Sequence, residues 1–355
     1  FFSTVPFTEA FSNLLVAPAA RFDSAWYLAI AQHGYEVGGR SAFFPAFPGL
    51  VRIGGELSGS PLVAGIALSS ACGLGGLYLL HRLVALDFGV ERARTVVWLA
   101  AWFPGAMVLS AVYSESLFLL VSVGAIYAAR LDRWALAGML GAVAAATRSG
   151  GVIVIVPLLI IYLYAHRRPR ADVLWVLLGV PAGLAAYVAY LGLTTGDPTS
   201  VFTAQAAWGR SFVPLGGVAL GLWSAVQGAL ELIVPGFGRS SAAFAHGVPT
   251  ELIDIRDIAM VAFLAGGIWL CTEAVRRLHP SYAAYAVCGL ALPLSVPAAG
   301  FPLMSLPRFE FVIFPLWIAL ALWADERRRV RQLLWLFGTL LAISSAFFSV
   351  WALAP

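Results

Sequence analysis

Apolar runs long enough to cross, or nearly cross, a bilayer recur along the whole chain, at about 61–81, 94–110, 115–130, 134–147, 151–165, 172–194, 256–276, 281–299, 309–324 and 332–353. Several fall short of the ~20 residues that a perpendicular helix needs, so tilted spans or spans paired around a broken helix are expected. Composition points the same way: 61% of the 355 residues are hydrophobic and 11% charged, with a mean hydropathy of +0.87. A soluble domain of this length needs far more polar surface. The sequence therefore predicts an all-α fold, a polytopic transmembrane helical bundle of about ten spans forming one integral membrane domain over residues 1–355. No soluble domain, low-complexity tract or internal repeat stands out.

The basic residues set the orientation. All 22 are arginine, a bias that suggests a GC-rich bacterial genome, and alternate loops carry clusters of them. Arg82, Arg92 and Arg94 come first, then Arg130 and Arg133, then Arg167, Arg168 and Arg170. Arg276 and Arg277 follow, and last Arg327, Arg328, Arg329 and Arg331. The positive-inside rule assigns these loops to the cytoplasm. Residues 1–60, 111–115, 147–151, 195–255 and 300–308 are then external. Parity also decides two doubtful segments. Counting 41–57 as a span would invert every later loop, and Pro45, Pro48 and Arg52 argue for an interfacial or re-entrant piece. Segment 215–235 meets the same objection and is expected at the outer surface. The net charge of +4 thus reads as topology rather than a nucleic-acid patch, and no nucleic-acid partner is expected.

Cys72, Cys271 and Cys288 all lie in apolar runs without metal-ligand spacing, as inert packing residues do, and imply no disulfide. The chain opens at Phe1, with no signal peptide and no full span in its first 20 residues, so an N-terminal helix of a longer protein is expected to be missing. There is no P-loop or dinucleotide glycine fingerprint, and no histidine cluster indicates a tightly held metal. No cofactor is assigned; a divalent metal stays open without being indicated.

Five polar islands fall on the external side, each with a plain and a functional reading. In RFDSAWYLAIAQHGY, residues 21–35, Asp23 stands beside spanning helices, followed at helical spacing by Trp26, Tyr27 and Ile30. A carboxylate so near hydrocarbon is expensive to keep ionised; the plain reading is that Asp23 or Ser24 caps an interfacial helix. In SAVYSESLF, residues 110–118, Glu115 either favours the following helix N-terminus or takes part in a site. In AATRSGG, residues 145–151, Arg148 sits against the positive-inside bias, suited to an anion or to a salt bridge with Glu115 or Asp23. In TGDPTSVFTAQAAWGR, residues 195–210, Asp197, Gln205, Trp208 and Arg210 either anchor the interface or hold a sugar by stacking and hydrogen bonding. In SLPRFEFVIFPLW, residues 305–317, Arg308 stands at the mouth of a span, where a planar guanidinium suits a lipid phosphate or anchors at the headgroups.

The wording and order of these islands resemble the PIG-V family of mannosyltransferases, which contains GPI mannosyltransferase II and lies within the glycosyltransferase-C superfamily. The likeness runs from Asp23 to Tyr35 and through Phe43-Phe44-Pro45, Tyr113-Ser114-Glu115-Ser116 and Thr147-Arg148-Ser149. It continues in Gly196-Asp197-Pro198, Ala204-Gln205, Trp208-Gly209-Arg210 and Pro307-Arg308-Phe309. Similar proteins usually carry Trp where this chain has Phe22, and Asn where it has Gly150, which puts fine substrate contacts in doubt. The resemblance implies a bundle of the glycosyltransferase-C type with external juxtamembrane helices. It implies a multi-pass protein of the cell membrane with its active site on the extracytoplasmic face, using a polyprenyl-phosphate-linked sugar, mannose above all, with inversion. The acceptor is then a glycolipid, a polysaccharide or a protein, and membrane lipids are its surroundings.

Such chemistry needs a base for the acceptor hydroxyl, stabilisation of the departing lipid phosphate and a path for the prenyl tail. Asp23 is the candidate base, and Arg308 and Arg148 are candidates for the phosphate. Trp26, Tyr35, Glu115, Asp197, Gln205, Trp208 and Arg210 are candidates for substrate contacts. The alternative is a polytopic lipid or solute transporter or flippase, favoured by charges buried mid-span and by broken helices in inverted repeats. Here the polar residues gather at helix mouths instead. A catalytically silent assembly subunit is a third reading, against which the retained Asp23 counts.

Overall fold

A computed structural model describes residues 17–35, 39–166, 168, 170–234 and 250–349. The start of the first expected external loop (1–16), Arg167, the middle of the second loop (235–249) and the end of the last expected span (350–353) lie outside the described residues. Among the described residues all regular structure is helical, with isolated bridges Arg210 to Ala298 and Ala298 to Phe301 in place of strands.

The N-terminal region forms α1 (Asp23–His33) and α2 (Ala46–Ser58), followed by the long α3 (Pro61–Phe88) and α4 (Val90–Trp102). Ser60 caps α3 by accepting from the Val63 N–H, and Pro61 stands at its first turn, where no intrahelical donor is needed. Next come α5 (Glu115–Arg130), α6 (Trp134–Thr147), α7 (Ile155–Ala165), α8 (Val173–Thr195) and the short α9 (Ser200–Ala207). The chain closes with α10 (Gly216–Ile233), α11 (Thr250–Arg277), α12 (Pro280–Leu294), α13 (Leu306–Phe311), α14 (Pro315–Glu326) and α15 (Val330–Ser349).

Among the described residues five helices are long and apolar enough to cross a membrane: Pro61–Phe88, Val173–Thr195, Gly216–Ile233, Glu251–Arg277 and Val330–Ser349. The protein is a multi-pass membrane protein. Other expected spans are broken where proline dictates. The run at 94–110 divides at Phe103, extended ahead of Pro104, into α4 and a 3-10 turn over Pro104–Leu109. That at 309–324 divides ahead of Pro315 into α13 and α14. Arg82, read as a loop residue, lies inside α3, because the helix runs on to Gly89. Segment 215–235, kept out of the span count by parity, forms α10, which has span-like length and hydropathy and packs beside the N-terminal part of α11 through Ser224 and Asp257.

α5, α13 and α14 are enclosed helices, buried around most of their circumference, whereas α15 buries only Phe348. Leu74, Tyr78, Leu163, Leu193 and Trp335 point outward, as a lipid-facing surface allows and a soluble one seldom does. Lipid offers little hydrophobic drive between helices, so close packing of small residues has to hold them. The α6–α8 contact shows this: a Cβ at Gly138 would lie 2.1 Å from the Trp175 carbonyl oxygen. One end of the bundle is pinned by charge. Arg130 pairs with Asp87 at 2.6 Å, Tyr282 donates to the same carboxylate at 2.8 Å, and Arg277 bridges Glu273 and Glu326. The loops expected on one side thus do meet there, and the five polar islands lie toward the other end.

Gly138→Leu is expected to force α6 from α8 and to cost roughly 1–3 kcal/mol. This would be read as a thermal midpoint several degrees lower for the purified protein in detergent. Gly266→Ala, where nothing lies within 4 Å of an added Cβ, should not lower the midpoint, because alanine is the better helix former.

Candidate active site

Both segments that supply the central ion pair enter their helices through strained backbone. Phe22, at φ 51°, precedes Asp23 at the start of α1, and Ser305, at φ 65°, precedes α13, which carries Arg308. Non-glycine residues in the left-handed region cost of order 1–3 kcal/mol and persist where their surroundings hold them. Here the holding contacts are specific. The Phe22 ring packs on Phe348, Arg21 Nε donates to the Ser349 carbonyl at 3.0 Å, and the Asp23 N–H donates to the Tyr113 hydroxyl at 3.3 Å.

The capping readings fail on geometry. No side chain caps α1: the Ser24 hydroxyl donates to the Ala19 carbonyl at 3.0 Å, and Asp23 Oδ2 accepts from Arg308 Nη1. Arg308 Nε also faces Glu115 Oε1 at 3.1 Å, and Arg148 Nη1 approaches the same oxygen at 3.0 Å. Asp23, Arg308, Glu115 and Arg148 therefore form one chain of alternating charge, drawn from α1, α13, the first turn of α5 and the extended residue that ends α6. Glu115 is 2% exposed, Arg308 9%, Arg148 17% and Asp23 28%, so the chain runs from a buried centre to a solvent-facing carboxylate.

Arg148 reaches this position because the chain doubles back at Gly151, whose N–H donates to the Arg148 carbonyl at 2.8 Å. A Cβ at Gly151 would stand 1.9 Å from the Ala144 carbonyl oxygen, so only glycine fits. The Phe309 ring serves both guanidinia, lying 5.2 Å from that of Arg148 and 5.3 Å from that of Arg308, and the Tyr113 ring takes the other contact of Arg308 at 5.2 Å. Burial alone would depress the Arg308 guanidinium, but Asp23 and Glu115 beside it raise its pKa above the ordinary arginine value. It is a permanent cation. The hydrogen bonding is nevertheless imperfect: Arg148 Nη1 and Arg308 Nε face Glu115 Oε1 at ion-pair distance without an aligned hydrogen bond, and Glu115 Oε2 is buried without a hydrogen-bond partner among the described residues. Native proteins keep few such groups.

Beside the charges stands an aromatic wall. Trp26, one turn beyond Asp23, stacks on Phe43 at 5.9 Å and meets the edge of Trp208 at 5.1 Å. Trp208 Nε1 donates to the Gly39 carbonyl at 3.2 Å, and the Gln205 carbonyl accepts from the N–H groups of Trp208 and Arg210. Arg210 donates through Nη1 to the Val296 carbonyl at 3.0 Å. Its pKa is lowered, by burial first and then by repulsion from Arg308. The segment holding Trp208 and Arg210 is clipped to the loop ahead of α13, where the Ala299 N–H donates to the Gly209 carbonyl at 2.8 Å.

Two expected substrate contacts lie apart from the charge chain. The Tyr35 hydroxyl donates to the Phe43 carbonyl at 2.8 Å, and its ring packs on Tyr187 and Tyr190. Asp197 Oδ1 accepts from the Thr199 N–H at 2.8 Å and hydroxyl at 2.6 Å on an exposed turn. Contributors outside the expected set are Tyr113 and Phe309, both inside the matched motifs, and Tyr27, whose hydroxyl lies 2.7 Å from that of Ser114. A cavity of about 90 Å³ near the first turn of α13 has Arg256 and Asp257 in its wall, but none of the four residues of the charge chain. Among the described residues no group of three or more His, Cys, Asp or Glu gathers.

Comparison with known proteins adds an independent line. Residues 3–165 match the family model described as Mannosyltransferase (PIG-V). GPI alpha-1,6-mannosyltransferase 2 of Rattus norvegicus is 34% identical over 152 residues, 39% of this chain and 30% of the relative. That of Mus musculus is equally similar over the same length. The match thus spans 30% of the length of these relatives. Among solved structures, the crystal structure of ArnT from Cupriavidus metallidurans in the apo state aligns over 94% of this chain and 72% of its own, at 14% identity and a TM-score of 0.42. Asp23, Glu115 and Arg148 all fall within the family match, and over residues 3–165 the chain is similar to the PIG-V mannosyltransferases.

Proposed function

We propose that the protein is a glycosyltransferase that moves a mannosyl group from a polyprenyl-phosphate donor to an acceptor hydroxyl on the extracytoplasmic face of the membrane, with inversion. The observation that carries this reading is the charge chain itself. A solvent-facing carboxylate, Asp23, sits against the Arg308 guanidinium, which shares a second, buried carboxylate, Glu115, with Arg148. The acceptor oxygen attacks the anomeric carbon while Asp23 takes its proton, and the bond from that carbon to the phosphate oxygen breaks with its electron pair going to the prenyl phosphate. Arg308 and Arg148 offer planar donor sets to the phosphate oxygens as charge develops there. Trp26 and Trp208 offer ring faces and edges to the sugar, and Arg210 adds a third cation nearby. The lipid-facing helices leave the prenyl tail in the bilayer. The sequence relatives and the charge chain lend no support to a transporter.

Asp23→Asn keeps the shape of the side chain and removes the proton acceptor. The expected variant folds and binds donor but transfers sugar at least about a hundredfold more slowly. The measurement is transfer from a polyprenyl-phosphate mannose donor by purified protein in nanodiscs. Turnover near that of the unaltered protein would move the base elsewhere.

The proposed orientation has its own test in single-cysteine variants made after replacing Cys72, Cys271 and Cys288. Glu56→Cys and Thr203→Cys should react with an impermeant thiol reagent applied from outside, and Arg94→Cys should not. All three positions are exposed, so the reverse pattern would invert the topology.

A further inference from the structure

Glu115 is the most deeply buried member of the charge chain, and one oxygen, Oε1, faces both guanidinia. A group so placed has little access to substrate. What it does have is a fixed negative charge about 3 Å from each cation expected to meet the phosphate. With Asp23 it brings the formal charge of the four residues to zero; without it they would carry a net positive charge.

Resting on the proposed donor chemistry, we infer that Glu115 is a positioning and charge-balancing residue whose task is release of the lipid phosphate. The donor is a phosphodiester with a single negative charge. Cleavage of the sugar–phosphate bond leaves a phosphomonoester, which carries roughly −1.5 to −2 at neutral pH. Without Glu115, two arginines opposed by Asp23 alone in a partly buried site would therefore hold the product more tightly than the donor. At a few ångströms and the effective dielectric of such a site, one added charge is worth on the order of tenfold or more in affinity. Glu115 opposes that gain. It also stays against both guanidinia while the phosphate comes and goes, which keeps them from pairing with the phosphate alone.

Glu115→Gln retains the shape and removes the charge. It is expected to bind a polyprenyl monophosphate roughly tenfold or more tightly than the unaltered protein does, and the mannosyl phosphodiester by a smaller factor. Both KM for the donor and kcat should fall as product release becomes limiting. Glu115→Asp, which keeps the charge, should stay within about threefold of the unaltered product affinity. Arg148→Gln should weaken product binding roughly tenfold, and Glu115→Gln/Arg148→Gln, again neutral, should return it toward the starting value. These signs separate charge balance from simple bracing, because loss of a mere brace weakens donor and product together.

The probes are the monophosphate and the mannosyl phosphodiester themselves, titrated against protein in phosphatidylcholine nanodiscs, with single-turnover and steady-state rates alongside. Equal or weaker product binding by Glu115→Gln would overturn the inference. Should Glu115→Gln not fold, Arg148→Gln and the double variant decide it, and equal product affinity in those two would overturn it. Failure of the unaltered protein to bind either lipid would instead overturn the proposed donor chemistry on which the inference rests.

Discussion

The structure turns on one carboxylate, Glu115, held between two guanidinia at the start of an enclosed helix. Burying charges is costly, and a buried ion pair is often neutral or worse for stability compared with a well-packed apolar substitute. Its value lies in specification. Removing one partner strands the others in a poor solvent, so α1, α5, α13 and the end of α6 have one arrangement in which every charge of the chain has an opposite neighbour. The enclosed helices α5 and α14 begin at or just after this point. The rigid centre of the bundle and the charge chain are therefore built from the same segments.

The opposite end is pinned by a different set of charges. Arg130, Asp87 and Tyr282 tie the end of α3 to the end of α5 and the start of α12, while Arg277 ties α11 to α14. Between the two ends the helices meet through small residues, as at Gly138 against Trp175. Charge at the ends and close packing in the middle suit a protein surrounded by hydrocarbon, where apolar contact with lipid competes with apolar contact between helices. At one end Asp87 Oδ2 takes both Arg130 and Tyr282. At the other, Glu115 Oε1 faces both Arg148 and Arg308, and the second carboxylate of the chain, Asp23, is open to solvent.

Much of this was legible in the sequence. The all-helical membrane class, the near-positions of the helices and the grouping of loop arginines at one end follow from apolar periodicity and charge, which are local signals. Asp23, Glu115, Arg148 and Arg308 could each be singled out as polar residues at apolar helix mouths, and a salt bridge from Arg148 to Glu115 was among the readings. The pairing of Asp23 with Arg308 could not be read, because the partners lie 285 positions apart and only the closed bundle brings them together. Capping by Asp23 or Ser24 failed for a related reason: a cap is judged from neighbours in sequence, while tertiary partners claimed both side chains. Tyr35 and Asp197 stood in motifs as suggestive as the others. The Tyr35 hydroxyl and Asp197 Oδ1 bond to Phe43 and Thr199, contacts that depend on turn geometry no spacing reveals.

The strain at Phe22 and Ser305 fits the same picture. Neither residue gains from its backbone conformation locally, and each immediately precedes the helix that carries one partner of the Asp23–Arg308 pair. A relaxed entry into α1 would turn the Asp23 carboxylate with the helix, and a relaxed entry into α13 would do the same to the guanidinium. The ion pair and the packing of Phe22 on Phe348 outweigh two unfavourable dihedrals, each costing of order 1–3 kcal/mol. Strain of this kind persists where geometry at a particular atom matters more than the comfort of the backbone. Here that atom is the oxygen of the one carboxylate in the chain that solvent can reach.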